Sequence, residues 1–234
     1  MSLTRDYETV LRQLDRIHAA KPRKGHPLWI GLMEGKLNRL QVAVFLKQFS
    51  AIPLYNHNYH GPLYVNCPSP QWRARMAEVV YEEGAGKLFA GGVPHHELYL
   101  RMGEAFGISR QEMYDTEFCA GALAVRHYFE NICRKSFLEG IAAISLGSEA
   151  QVPGVAGRVS DAFVKHYGLT PEQAAFYSVH EEADKDHSDL GLEILRDFAR
   201  SDADLDLVMR AVRDAVEVSW GMFEDIWHMV QENR

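Results

Sequence analysis

Apolar residues return every three or four positions along almost the whole chain, and no Val-, Ile- or Thr-rich stretch alternates apolar with polar. A period near 3.6 buries one stripe of a helix, whereas a half-buried strand needs a period of two. The pattern therefore excludes a sheet and predicts an all-α protein. Low-complexity runs, linkers and internal repeats are missing, and 47% of the 234 residues are hydrophobic. That much apolar material suits one core, so the expectation is a single helical domain over 1–234, with eight to ten helices.

The spacing predicts an opening helix from about Leu3 to Ala20, then a loop from Lys21 to Pro27 and a brief helix ending at Gly35. Asn38 is placed to cap a long helix through Gln41, Phe45 and Phe49, bent at Pro53. Pro68-Ser69-Pro70 opens the next helix, and Gly84 to Gly92 break it. Further helices are expected from His95 to Phe106, from Ser109, from Phe118 to Phe137, from Glu139 to Glu149 and from Val155 to Tyr167. Thr170-Pro171 reads as a cap with proline in the first turn. Asp202 or Asp204 starts the last helix, which runs past Trp227.

A net charge of −7 argues against a nucleic-acid partner, which would select a basic surface. No stretch approaches the 18 or so uninterrupted apolar residues of a membrane span. The first residues lack an apolar signal segment, which predicts a cytoplasmic protein. Cys67, Cys119 and Cys133 are scattered and unpaired in spacing, so neither a disulfide framework nor a zinc–thiolate site is expected.

The segment His180-Glu181-Glu182-Ala183-Asp184-Lys185-Asp186-His187 carries the chemistry. At about 100° per residue, Asp184 and His187 fall within roughly 40° of His180 on one helix face. Phe176, Tyr177, Ala183, Leu190, Ile194, Leu195 and Phe198 surround that stripe, so it points inward. Unpaired buried charge is costly, and a metal ion is one of the few ways to offset it. Two His and one Asp could hold one metal; a second ion needs further inward carboxylates. Glu82 shares a face with Met76 and Val79, His95 opens a helix whose Leu98 and Met102 look inward, and Glu149 closes the apolar run Ile141–Gly147. This oxygen-rich, thiolate-free set suits iron or manganese better than zinc.

At these residues the chain resembles the haem-oxygenase-like helical superfamily of TenA thiaminases, pyrroloquinoline-quinone synthase and the diiron oxidases. Its nearest likeness there is the CADD-like group, after the chlamydial protein associating with death domains. The similarity runs from His26-Pro27-Leu28-Trp29 to the last helix. It is densest in Glu82-Glu83-Gly84, His95-His96-Glu97-Leu98, Glu149-Ala150-Gln151-Val152-Pro153 and the stripe itself. The resemblance implies two iron ions, or a mixed manganese–iron pair, held by Glu82, His95, Glu149, His180, Asp184 and His187. Glu83 and His96 are the alternatives to Glu82 and His95, with the first of each pair favoured by motif position. The implied function is a non-haem diiron oxidase or oxygenase that uses O2 to oxidise a small metabolite, in a setting such as cofactor biosynthesis; relatives of this kind are commonly homodimers. The chlamydial-type proteins are implicated in making p-aminobenzoate from one of their own tyrosines. Trp29 stands where they have that tyrosine, and a lysine associated with the reaction is replaced near Val159.

Substrate contacts are expected from Tyr55 and Tyr59, in a cluster with His57 and His60, and from Tyr128 and Tyr177. Two other readings stay open at this point. One is a metal-free oxidase of an anionic quinone precursor, which needs Arg126, Arg134 and Lys135 near the cavity. The other is a partner-binding helical protein without catalysis. The spacing of zinc proteases is not met, since Asp184 and not His follows His180 by four.

Overall fold

A computed structural model describes residues 5–233, and every regular element among them is helical. Helix α1 spans Tyr7–Ala20, capped by the Asp6 carboxylate on the Thr9 amide; the expected start at Leu3 lies outside the described residues. His26 caps α2 (Pro27–Met33) with its own ring nitrogen, and Asn38 and Gln41 cap α3 (Arg39–Phe49) reciprocally. The long helix expected to bend at Pro53 is instead broken there. A 3-10 turn at Pro53–Tyr55 separates α3 from α4 (His57–Asn66), because proline removes a donor and crowds the preceding turn. Ser69 and Pro70 open α5 (Pro70–Ala85) as their order predicts. Then come α6 (His95–Ala105), α7 (Arg110–Tyr114), α8 (Ala120–Lys135) and α9 (Phe137–Ile141). Ser136 ends α8 with extended backbone and caps α9, so the single helix expected across Phe118–Phe137 stops two residues short.

From Ala142 to Ser148 the chain winds as a π-helix, followed by a 3-10 turn at Glu149–Gln151. This is where a regular helix to Glu149 was expected. The last three helices are α10 (Ala156–Tyr167), α11 (Ala175–Phe198) and α12 (Asp202–Glu232). Thr170 and Gln173 form their reciprocal bonds, yet the helix proper begins only at Ala175.

Helix α12 is the spine. Its buried stripe of Leu205, Val208, Val212, Ala215, Met222, Ile226 and Val230 repeats at helical spacing and packs on α1, α2, α3, α8, α9 and the π-helical segment. Each of its larger side chains contributes roughly 1.5–3 kcal/mol by leaving water, and Ala215 less. The π segment lies between α11 and α12. Two glycines permit the close approach: a Cβ on Gly191 would stand 2.8 Å from the Ser145 Cβ, and one on Gly147 2.7 Å from that of Ala215.

Three contacts fix where the π segment ends. His18 on α1 bonds the Leu146 carbonyl at 2.7 Å, and Arg23 Nη2 donates to the Ser148 carbonyl at 3.1 Å. The Arg23 amide donates to Gln151 Oε1 at 2.8 Å. From the other side, the Glu181 carboxylate on α11 accepts from the amides of Gly154 and Gly157. Glu149 is thereby turned toward α11.

Candidate metal centre and cavity

Two donor groups form inside the bundle: Glu83, His95 and His180, and Glu149, Asp184 and His187. Within each, one ligand-type atom per residue lies within 4.8 Å of the others. Helix α11 supplies His180 to the first group and Asp184 and His187 to the second, as the i, i+4, i+7 spacing requires. Five of the six residues expected from sequence are thus brought together, and so is Glu83.

Glu82 has other partners. Its carboxylate accepts from the backbone amides of Leu88 and Ala90, in the glycine-rich loop that follows α5, and lies 3.0 Å from His95 Nε2. Glu83 meets the opposite edge of the same ring, with Oε2 3.1 Å from Nδ1, and also accepts from Asn56 Nδ2. His95 is fully buried, and its neighbour His96 is not in either group. His180 bonds the Phe176 carbonyl through Nδ1 at 2.7 Å, which leaves Nε2 facing the group.

The second group is held more loosely. His187 Nδ1 stands 3.5 Å from Asp184 Oδ1 and 3.6 Å from Glu149 Oε2. His60 Nε2 on α4 lies 3.9 Å from Glu149 Oε1. Three buried atoms at these two groups have no hydrogen-bond partner: His95 Nδ1, Glu149 Oε2 and His187 Nδ1. Each faces an oppositely charged group at ion-pair distance without a hydrogen bond, an arrangement that is costly when buried and that one cation in each group would satisfy. The mixed nitrogen and carboxylate set, free of the three cysteines, suits iron or manganese. The donors present therefore fit the group the sequence suggests.

The electrostatics follow from this packing. Burial opposes charge on His95, but the Glu83 carboxylate, and then Glu82, outweigh it and hold its pKa up at about 9. His187 is likewise raised well above the ordinary imidazole value, burial being overcome by Glu149 and Asp184. Burial works to raise Glu83, yet the facing imidazoles hold it well below the usual carboxylate range. Asp184 goes the other way, raised by burial. Such shifts collect at functional sites because they need buried groups of opposite charge.

Beside both groups lies a cavity of about 90 Å³, edged by Glu83, Glu149, His180 and Asp184. Tyr59, His60, Trp29 and Tyr177 line it. Of the four tyrosines expected against substrate, Tyr59 and Tyr177 are here, the Tyr59 hydroxyl donating to the Ala51 carbonyl at 3.0 Å. Tyr55 and Tyr128 are not. Tyr55 packs on Phe118 beneath the Arg126 guanidinium, and Tyr128 donates to the Ala211 carbonyl on α12. His57 is exposed. Arg126, Arg134 and Lys135 also lie outside the cavity lining. The single Lys or Arg among the described residues that line it is Arg23, from the segment between α1 and α2.

The fold and site together define a class, a haem-oxygenase-like helical protein with paired carboxylate–imidazole groups beside a buried cavity. A family model described as "iron-containing redox enzyme" matches residues 43–220, and the chain belongs to that family. It is 26% identical over 224 residues to a 4-aminobenzoate synthase of Nitrosomonas europaea, covering 93% of this chain and 91% of that one. A pyrroloquinoline-quinone synthase of Klebsiella pneumoniae is 23% identical, over 85% and 78% of the two chains. Among solved structures, a TenA homologue from Pseudomonas syringae shares the fold with a TM-score of 0.76 at 14% identity, covering 94% of this chain and 92% of that one. A CADD-like protein from Nostoc punctiforme does so with a TM-score of 0.74 at 14% identity, over 96% and 97%. No helix among the described residues is long and apolar enough to cross a membrane.

Proposed function

We propose that the chain is an O2-dependent oxidase of a small organic molecule, working through two iron ions, or one manganese and one iron. Glu83, His95 and His180 hold one ion, and Glu149, Asp184 and His187 the other. The observation that carries this is the pair of three-residue donor groups on one cavity, with His95 Nδ1, His187 Nδ1 and Glu149 Oε2 lacking a hydrogen bond. When bound, the ions supply the redox chemistry that ordinary side chains lack. The protein's own residues do the rest. Glu82 accepts from His95 Nε2–H and so keeps Nδ1 directed at the ion, while the Phe176 carbonyl fixes the His180 ring in the same way. His60 stands beside Glu149 at the cavity wall, within reach to pass a proton to or from a bound molecule. Apolar walls around Phe49, Phe129 and Ile144 exclude bulk water.

Relatives named as synthases of 4-aminobenzoate and pyrroloquinoline quinone support a place in cofactor biosynthesis. Trp29 stands where the chlamydial-type proteins carry the tyrosine they consume, and it lines the cavity. That favours an external substrate over a residue of the chain itself. The metal-free reading loses its support because Arg126, Arg134 and Lys135 lie elsewhere. The test is metal content after anaerobic reconstitution, followed by the optical spectrum on O2 addition. About two metal ions per chain and a new visible band are expected; less than one ion per chain overturns the proposal.

A further inference from the structure

Three buried donors on one wall of the cavity have no acceptor: Arg23 Nε, Trp29 Nε1 and the Tyr177 hydroxyl. All three residues are more than nine-tenths buried, Arg23 being 7% exposed, Trp29 1% and Tyr177 4%. They are mutual neighbours. The Arg23 guanidinium lies 5.6 Å from the Trp29 ring centre, and the Trp29 and Tyr177 rings are 6.5 Å apart. Stranding one buried donor is costly, and stranding three together on a cavity marks a place built for an acceptor.

Charge selects which acceptor. Arg23 is the only Lys or Arg among the described lining residues and remains a cation at neutral pH, burial lowering it only to about 10. Glu149 and Asp184 balance it in the metal-free protein. Two divalent ions set against Glu82, Glu83, Glu149 and Asp184 would be balanced, and Arg23 would leave one positive charge over. The loaded cavity is then short of an anion. A carboxylate is acceptor-only, with lone pairs enough for three donors, and guanidinium groups bind it strongly. The rest of the molecule must be small and flat. The space is about 90 Å³, where each water needs roughly 10–15 Å³ by the same measure, and Phe49, Phe129 and Phe176 are among its walls.

We propose that Arg23, Trp29 and Tyr177 form the specificity wall of the cavity, and that the substrate is a small ring-bearing carboxylate whose carboxylate docks on it. The ring is then held among the donor residues that edge the same cavity. This deepens the oxidase reading and rests on it for the idea that a substrate enters this cavity.

Benzoate and its neutral isostere benzamide are suitable probes, titrated by calorimetry into iron-loaded and metal-free protein. Benzoate should bind roughly tenfold or more tightly than benzamide. Arg23→Gln should abolish that preference by weakening benzoate alone, and Arg23→Lys should restore part of it. Because Arg23 also holds the Ser148 carbonyl, Tyr177→Phe provides a second variant that breaks no existing hydrogen bond. It should cost benzoate severalfold and leave benzamide unchanged. Equal affinities for the two probes, or a benzoate preference that survives both Arg23→Gln and Tyr177→Phe, overturn the assignment. The second result would mean that benzoate binds the metal directly. If iron does not bind at all, the oxidase proposal fails; if iron loads but benzoate shows no preference over benzamide, the assignment of Arg23 fails alone.

Discussion

Glu82 Oε1 and His95 Nε2 meet at 3.0 Å across thirteen positions of sequence, while the next residue, Glu83, takes the other edge of the same imidazole. One ring is thus gripped by two adjacent carboxylates with different partners. Glu82 is tied to the amides of Leu88 and Ala90 and is not in the donor group; Glu83 faces His180. Replacing Glu83 by Ala should lower bound iron from about two to about one per chain. Glu82→Gln should keep the stoichiometry but weaken affinity by roughly 10–100-fold. Metal analysis and competition with a chelator separate the two. Equal losses of stoichiometry would contradict the division of labour.

Metal uptake should expel protons. In the metal-free protein His95, held up at about 9, and His187, also raised, are imidazolium at pH 7. A metal ion takes only the neutral ring, so loading both groups at pH 7 should release about two protons. Calorimetry in two buffers of different ionisation enthalpy measures this number, which should shrink at pH 9.5.

The same shift sets an alkaline limit on the metal-free protein. A histidine whose folded pKa is raised contributes stability that is complete below its unfolded value of 6.5. That contribution is lost as pH climbs through about 9. The Tm of metal-free protein should therefore fall between pH 6.5 and 9.5, and iron-loaded protein should fall less. Parallel curves would refute the linkage.

His18 carries the opposite sign. Burial lowers its pKa, outweighing the Leu146 carbonyl that favours its protonated form. A depressed histidine contributes stability that is present above its unfolded value and lost as pH falls through the folded one. His18→Gln can still donate to the Leu146 carbonyl without titrating. It should flatten the loss of Tm between pH 7 and 5 seen in the parent protein.

Packing at the π segment gives a test away from the charges. A methyl on Gly191 meets Ser145 at 2.8 Å and Leu146 at 3.1 Å, contacts that demand movement of the segment leading to Glu149. Gly191→Ala should cost about 1–3 kcal/mol and lower Tm by several degrees. It should also weaken metal binding at the second group more than at the first.

The donor stripe was legible because a helix converts spacing directly into direction, and His180, Asp184 and His187 needed only that. The different partners of Glu82 and Glu83 were not. Both follow Val79 at spacings that reach the buried side, and the contacts that separate them are amides of a loop with no period of its own. The π winding before Glu149 left no mark either, since it changes hydrogen-bond register and not residue type. Proline at 53 was read as a bend because its ring alone does not say whether a helix resumes in line. Arg23 escaped notice for a related reason. It sits in a 3-10 turn, where burial is set by neighbours distant in sequence such as Ser148 and Trp29. Tyr55 and Tyr128 shared the aromatic character of Tyr59 and Tyr177, and only the tertiary packing separates the pairs.

The bond from Arg23 to the Ser148 carbonyl joins two events that occur at different places. The guanidinium proposed to meet an incoming anion already grips the residue just before Glu149. A molecule drawing on Arg23 thus tugs the backbone that aims a proposed metal ligand, and a metal settling onto Glu149 tugs back with equal thermodynamic force. Filling the cavity should therefore change metal affinity at the second donor group, and metal there should change affinity for the anion by the same factor.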